Sequence, residues 1–241
     1  MKPIQNYTKN LGLLTLLAGI LAFNCNILLA IGVNFNFDSF AQPALIFQDL
    51  QKCQVTYFRW GMIADIWGYY LLFIPAMLHF YDKIESPWRK VIVLSGLAYA
   101  IVGAIGAAIL AATGTEALRD FLKATAADQA LYKNNFLVVY SIVNNGIWNL
   151  LEMGLLGVFM LGIASLFRRQ NKVLYGLTIL LGVSGIIDSI GNTLELHWLA
   201  EIGLNLYLLF WPIWAIWIGL NWVCEHKRVI SHQGNPVGAI T

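Results

Sequence analysis

Residues 136–166 read FLVVYSIVNNGIWNLLEMGLLGVFMLGIASL, and the only formally charged residue among them is Glu152. A bilayer crossing takes about 20 apolar residues, so this stretch is long enough to span a membrane and project beyond it. A carboxylate in hydrocarbon costs several kcal/mol unless it is protonated, hydrogen-bonded or wetted. The stretch therefore carries two messages at once: a membrane-spanning helix, and an interior that accommodates Glu152.

Five further apolar runs flank it, at 11–33, 58–80, 89–112, 173–191 and 198–223. Two of them also carry an acid, Asp65 and Asp188, each among apolar neighbours. The nearest base within its span to any of the three is Arg59, six positions from Asp65 at the rim and on another helix face. The composition agrees with a membrane protein: 59% hydrophobic and 12% charged, against about 25% charged in soluble domains. The run from Leu11 is longer than the apolar core of a signal peptide, and no small-x-small site follows it, so it reads as the first span. The expectation is an all-α, polytopic bundle of six transmembrane helices in one domain, residues 1–224, followed by a short cytoplasmic tail, 225–241.

Basic residues orient the bundle. With the N-terminus inside, ten lie on the cytoplasmic side (Lys2, Lys9, Lys83, Arg89, Lys90, Arg168, Arg169, Lys172, Lys227, Arg228) and five outside (Lys52, Arg59, Arg119, Lys123, Lys133). That obeys the positive-inside rule and puts both termini in the cytoplasm. The first outer loop, 34–57, reads as an interfacial segment. In the second, Thr113 and Glu116 have capping-box spacing, and Leu118, Phe121, Leu122 and Ala126 recur as one helical stripe, so a short amphipathic helix is expected there. The third span carries Gly96, Ala100, Gly103, Ala104, Ala107, Ala108 and Ala111, a small-residue surface suited to close helix packing within the bundle or to a homo-oligomer seam.

The polar residues inside the spans follow a pattern. Asn145, Asn149 and Glu152 are spaced i, i+4, i+7, as are Asp188, Asn192 and Glu195; such residues share a helix face. By the rise of a helix, Asp65 lies about 10 Å below the outer end of its span and Asp188 about 24 Å above the inner surface. Glu201 and Asn205 enter on one face of the sixth span. Intramembrane polarity is thus concentrated toward the outer side, which suits a pocket that opens outward. The expected ligand-binding set is Asp65, Trp67, Tyr69, Asn145, Trp148, Asn149, Glu152, Asp188, Asn192 and Asn205, with Trp67, Tyr69 and Trp148 as walls. Asp65, Glu152 and Asp188 are also the candidate catalytic groups, because intramembrane acids default to functional sites. The amides have a competing role as glue between helices. Pro212 in the sixth span frees a backbone carbonyl.

Other chemistries lack their residues. No lysine lies deep in a span to carry a Schiff base. His79, His197, His226 and His232 are placed at helix ends, outside or in the tail, not as paired mid-bilayer haem ligands. No HExxH, GxSxG or phosphate loop is present, and no metal or cofactor is expected. Cys25, Cys53 and Cys224 form no CxxC and lie at different depths. A net charge of +2 without a basic stripe points away from nucleic acid. The leading expectation is an integral membrane protein whose outward-facing pocket binds, and in its fuller form transports, a small molecule, a lipid-like ligand or a cation. The alternatives are an intramembrane acid–base enzyme, an isomerase or cyclase acting on a lipophilic substrate, and a structural or sensor subunit of a larger complex.

Overall fold

Six helices long and apolar enough to cross a membrane form in the computed structural model of this chain, which describes residues 2–233 and the side chains of residues 7–225. They are α1 (Lys2–Gly32), α2 (Lys52–Tyr81), α3 (Arg89–Lys123), α4 (Gln129–Phe167), α5 (Lys172–Thr193) and α6 (His197–Gln233). No strand occurs among the described residues. The expected tail boundary at 224 falls inside α6, which stays helical to Gln233; residues 234–241 of that tail, and the side chains of His226 and His232, lie outside the described residues.

Polar side chains set several helix ends. Gln51 and Gln54 form a reciprocal capping box at the start of α2, with the Gln51 amide donating to Gln54 Oε1 at 2.6 Å. Asn171 starts α5 by accepting from the amides of Val173 and Leu174, both at 3.1 Å. At the end of α5, Glu195 turns into the left-handed region (φ 57°), and the Leu196 amide donates back to the Gly191 carbonyl at 2.7 Å, a Schellman closure.

Successive helices run in opposite directions. One end of the bundle therefore gathers the connections 33–51, 124–128 and 194–196; we term it the cap end. The helices close into a ring in which α1 packs on α2 and α6, α5 on α6 and α4, and α3 on α4 and α2. The ring is filled with aromatic side chains: Tyr69, Tyr99, Phe73, Phe159, Trp211 and Trp214 are all buried. A second cluster, built on Phe47, Phe58, Leu118 and Phe136, closes the cap end. The outside of the ring is oily, with Leu94, Val138, Leu151 and Leu209 each about 60% exposed. Polar groups inside and large apolar side chains outside is the distribution demanded by lipid; the protein is a multi-pass membrane protein.

Three of the helices are irregular. Wider π turns interrupt α2 at Ile66–Tyr70, α3 at Leu110–Gly114 and α4 at Ile142–Glu152. In α2 the disturbance has a covalent cause: Pro75, at the start of the last regular segment, has no N–H and crowds the carbonyl one turn earlier. In α3 the Thr115 hydroxyl donates to the Leu110 carbonyl at 3.2 Å. The chain is already helical there, so Thr113 and Glu116 do not cap a new helix; Thr115–Lys123 continues α3 beyond its π turn. The three glycines of the small-residue face of α3 pack within the chain, Gly96 against Phe159, Gly103 against Tyr70 and Gly106 against Trp148, while Ala108 is exposed.

Candidate functional site

The three intramembrane acids are all buried, in different settings. Glu152 closes the π segment of α4. The Tyr70 hydroxyl from α2, 3.0 Å from Oε1 and 3.1 Å from Oε2, donates to its carboxyl. Gly103 of α3 makes room for this pair: a Cβ there would lie 2.8 Å from Glu152 Oε2 and would collide with the Tyr70 ring. Asp188 sits on the seam between α5 and α6. Its Oδ1 accepts from Asn192 Nδ2 at 2.9 Å, whereas Oδ2 is buried without a hydrogen-bond partner. Across the seam, a Cβ on Gly203 would lie 2.8 Å from that of Asp188. Asp65, the last residue before the π turn of α2, lies beside the Cys25 thiol of α1.

Glu152 lies within electrostatic reach of both Asp65 and Asp188. None of the three is ion-paired: among the described residues the one salt bridge joins Lys123 to Asp120, at 3.7 Å. Nor do they converge on a point, since no group of three or more His, Cys, Asp or Glu side chains among the described residues is arranged to hold a metal ion.

Four buried tyrosines tie the helices together around these acids. Tyr99 donates to the carbonyl of Tyr69 at 3.1 Å, inside the π turn of α2. Its single proton is thereby used, so Tyr207 is the donor in the 2.8 Å Tyr99–Tyr207 contact. The Leu208 carbonyl, freed by Pro212 four residues on, accepts from Asn26 Nδ2 at 3.0 Å, and the Tyr69 hydroxyl shares its one proton between that carbonyl and Asn26 Oδ1, each 3.2 Å away. Trp211 lies against Tyr69, Tyr99 and Tyr207 with ring centroids 5.7–6.2 Å apart, and its indole N–H is buried without a partner.

Of the ten residues expected to bind ligand, the structure brings Asp65, Tyr69, Asn149, Glu152 and Asp188 into the interior. Trp148 is half-buried, its indole N–H donating to the Gly103 carbonyl at 3.2 Å. Asn192 is half-buried on Asp188. Trp67, Asn145 and Asn205 lie on the exposed surface of the ring. For Asn145 the reason is the π segment: the i, i+4, i+7 face holds only at a period near 3.6, and the wider turn rotates Asn145 out, where it bonds Ser141 and Asn144. Tyr70, Tyr99, Tyr207 and Asn26 belong to the polar network but not to the expected set. Tyr70 is five residues beyond Asp65, off its face in a regular helix and on it in a π turn. The usable signal was a tyrosine deep in a span, whose hydroxyl must find a partner.

At the cap end, one cavity of about 400 Å³ lies beside Phe47 and Phe121, and one of about 80 Å³ lies under the Val33–Asn36 turn. Compared with protein-family models, with curated proteins and with solved structures, the chain matches none. The chemistry must therefore be read from the geometry. The acids lie on three helices in an interior lined with aromatic rings, with no base among the described residues to pair them and no arrangement there that shares one metal ion. The Tyr70–Glu152 contact adds a hydroxyl and a carboxyl able to exchange a proton.

Proposed function

We propose that this protein binds a small organic cation, a protonated amine or quaternary ammonium, between Glu152, Asp65 and Asp188. The observation that carries the reading is the charge balance. Three buried acids share the interior with no ion pair to any of them, so the compensating charge is a proton or a cation from outside the chain. Spacing that fits no single metal ion favours a larger cation, and the rings of Tyr69, Tyr70, Tyr99 and Trp211 supply the faces that such a cation prefers. The π turns of α2 and α4, which border the site, are the segments whose rewinding makes room for it.

In this reading both termini are cytoplasmic and the cap end faces outward, with Thr115–Lys123 and the 34–51 segment around the mouth. The ligand enters from that side, and exchange of the cation for protons is the route by which binding becomes transport. Cys53 and Cys224 are both exposed and lie toward opposite ends. An impermeant thiol reagent on intact cells should label Cys53 and spare Cys224; the reverse pattern inverts the orientation.

The binding test uses tetraphenylphosphonium, tetramethylammonium and sodium, titrated calorimetrically into the purified full chain. The organic cations should bind and sodium should not. Glu152→Gln and Asp188→Asn should weaken binding at least about tenfold, or about 1.4 kcal/mol, while moving the melting temperature little, because an amide replaces a carboxyl as glue between helices. Equal binding by wild type and both variants sinks the reading.

A further inference from the structure

The larger cap-end cavity is independent of the acid cluster and has a chemistry of its own. Its floor is apolar: the Phe47 ring packs edge-on against Phe121 at 4.7 Å and Phe136 at 5.4 Å, and Leu45, Ala44 and Ala130 complete it. A volume of about 400 Å³ falls in the range of small-ligand pockets, about 300–1,000 Å³. Only one charged side chain lines it, Lys133. That ammonium lies 5.8 Å above the Phe47 ring, and among the described residues no carboxylate pairs with it. Gln48 and Gln129 add amides at the rim.

A lysine has three donors and seeks an anion, and here one is held at the edge of an apolar hollow at the end of a membrane bundle. We propose that this cavity is a binding site for an anionic amphiphile, a lipid or lipid-like molecule with a phosphate or carboxylate head. The head sits on the Lys133 ammonium with the Gln48 and Gln129 amides beside it. The first part of the chain lies on Phe47 and Phe121 and leaves along the outside of α3 and α4. Phe47 belongs to the 3₁₀ turn Pro43–Phe47 of the first connection, so the ligand also fastens that connection to the second.

The test titrates dodecyl phosphate, dodecyltrimethylammonium and inorganic phosphate into the full chain in a neutral maltoside detergent, followed by calorimetry. Dodecyl phosphate should bind at one site. Lys133→Gln should weaken it at least about tenfold, and Lys133→Arg should restore binding to within about threefold. Ala130→Trp fills the hollow and keeps the charge, and should weaken binding as much as Lys133→Gln. Inorganic phosphate should bind at least about a hundredfold more weakly, because it lacks the chain. Three results overturn the proposal: wild-type affinity in either weakening variant, equal binding of dodecyltrimethylammonium, or inorganic phosphate binding as tightly as dodecyl phosphate. Tetraphenylphosphonium binding should be unchanged in Lys133→Gln, which separates this site from the interior one.

Discussion

Helices α2, α3 and α4 each contain a π turn, whereas α1, α5 and α6 contain none. The regular half packs by close backbone approach, as where Gly203 meets Asp188. The irregular half is held by side chains that donate to backbone carbonyls at its wide turns: Tyr99 to Tyr69, Thr115 to Leu110, and Ser189 to Leu150 at 3.2 Å. The difference shows how a lipid-embedded chain keeps a polar interior. Tyrosines and hydroxyls supply donors to the backbone at the irregular turns, and two of the three acids, Asp65 and Glu152, border those turns.

If the irregular half depends on such fitted contacts, its tightest point should be the most sensitive. A methyl group on Gly103 collides with the Tyr70 ring and presses on Glu152. Gly103→Ala should cost about 3 kcal/mol or more, since overpacking and loss of a buried hydrogen bond act together. Gly176, in the regular half, has nothing within 4 Å of where its Cβ would be. Gly176→Ala should stabilise the protein, by up to about 1 kcal/mol. Thermal unfolding of the two variants in one detergent checks the contrast. Equal effects would erase the distinction between the halves.

The acids sharpen it further. Tyr70→Phe removes the donor that Glu152 depends on in the buried interior and should cost about 1.5–3 kcal/mol. Asn192→Ala removes the donor from the buried Asp188, but Asn192 itself is half-buried, so water can take its place, and the change should cost about 1–1.5 kcal/mol. A larger loss from Asn192→Ala would place the critical acid on the regular seam instead.

Much of this was legible in the residues. Length and hydropathy located all six helices, and the acids at 65, 152 and 188 were expected to be inside, where they are buried. The internal winding was not legible. Asn145 was placed with Glu152 by a period of 3.6, and a π segment of the kind at Ile142–Glu152 leaves no mark in composition: it contains no proline, and Gly146 is common in membrane helices. Tyr99 and Tyr207 meet across helices α3 and α6, a pairing set by the ring order that no local spacing encodes. Pro212 was the exception, since a proline within a helix announces a free carbonyl four residues earlier, although not which side chains take it.

The regular half carries its strain at a turn. Glu195 adopts φ 57° with a side chain that gains nothing from it, being exposed between α5 and α6. A non-glycine residue there costs about 1 kcal/mol. Glu195→Gly should raise stability by about 0.5–1 kcal/mol. An unchanged or lowered melting temperature would mean that the Glu195 side chain has a role at the cap end.

The smallest expected effect tests a place where the two halves trade hydrogen bonds around a proline. In α6 the Leu208 carbonyl lacks its helical donor because residue 212 is proline; Asn26 of α1 donates instead, and the Tyr69 hydroxyl of α2 lies 3.2 Å from both that carbonyl and Asn26 Oδ1. Alanine at 212 restores a backbone N–H to that carbonyl. Asn26→Ala should then cost about 1 kcal/mol in the wild type but distinctly less in the Pro212→Ala background, a coupling of about 0.5–1 kcal/mol. The coupling, rather than either single effect, carries the information, because Pro212→Ala also changes the bend of α6 and so the seating of Trp211. A double-mutant cycle of melting free energies isolates it. Strict additivity would show that Asn26 is held by its other contacts and that the freed carbonyl is satisfied without it; the irregular half would then be tied to α6 through Tyr69 and the Tyr99–Tyr207 contact.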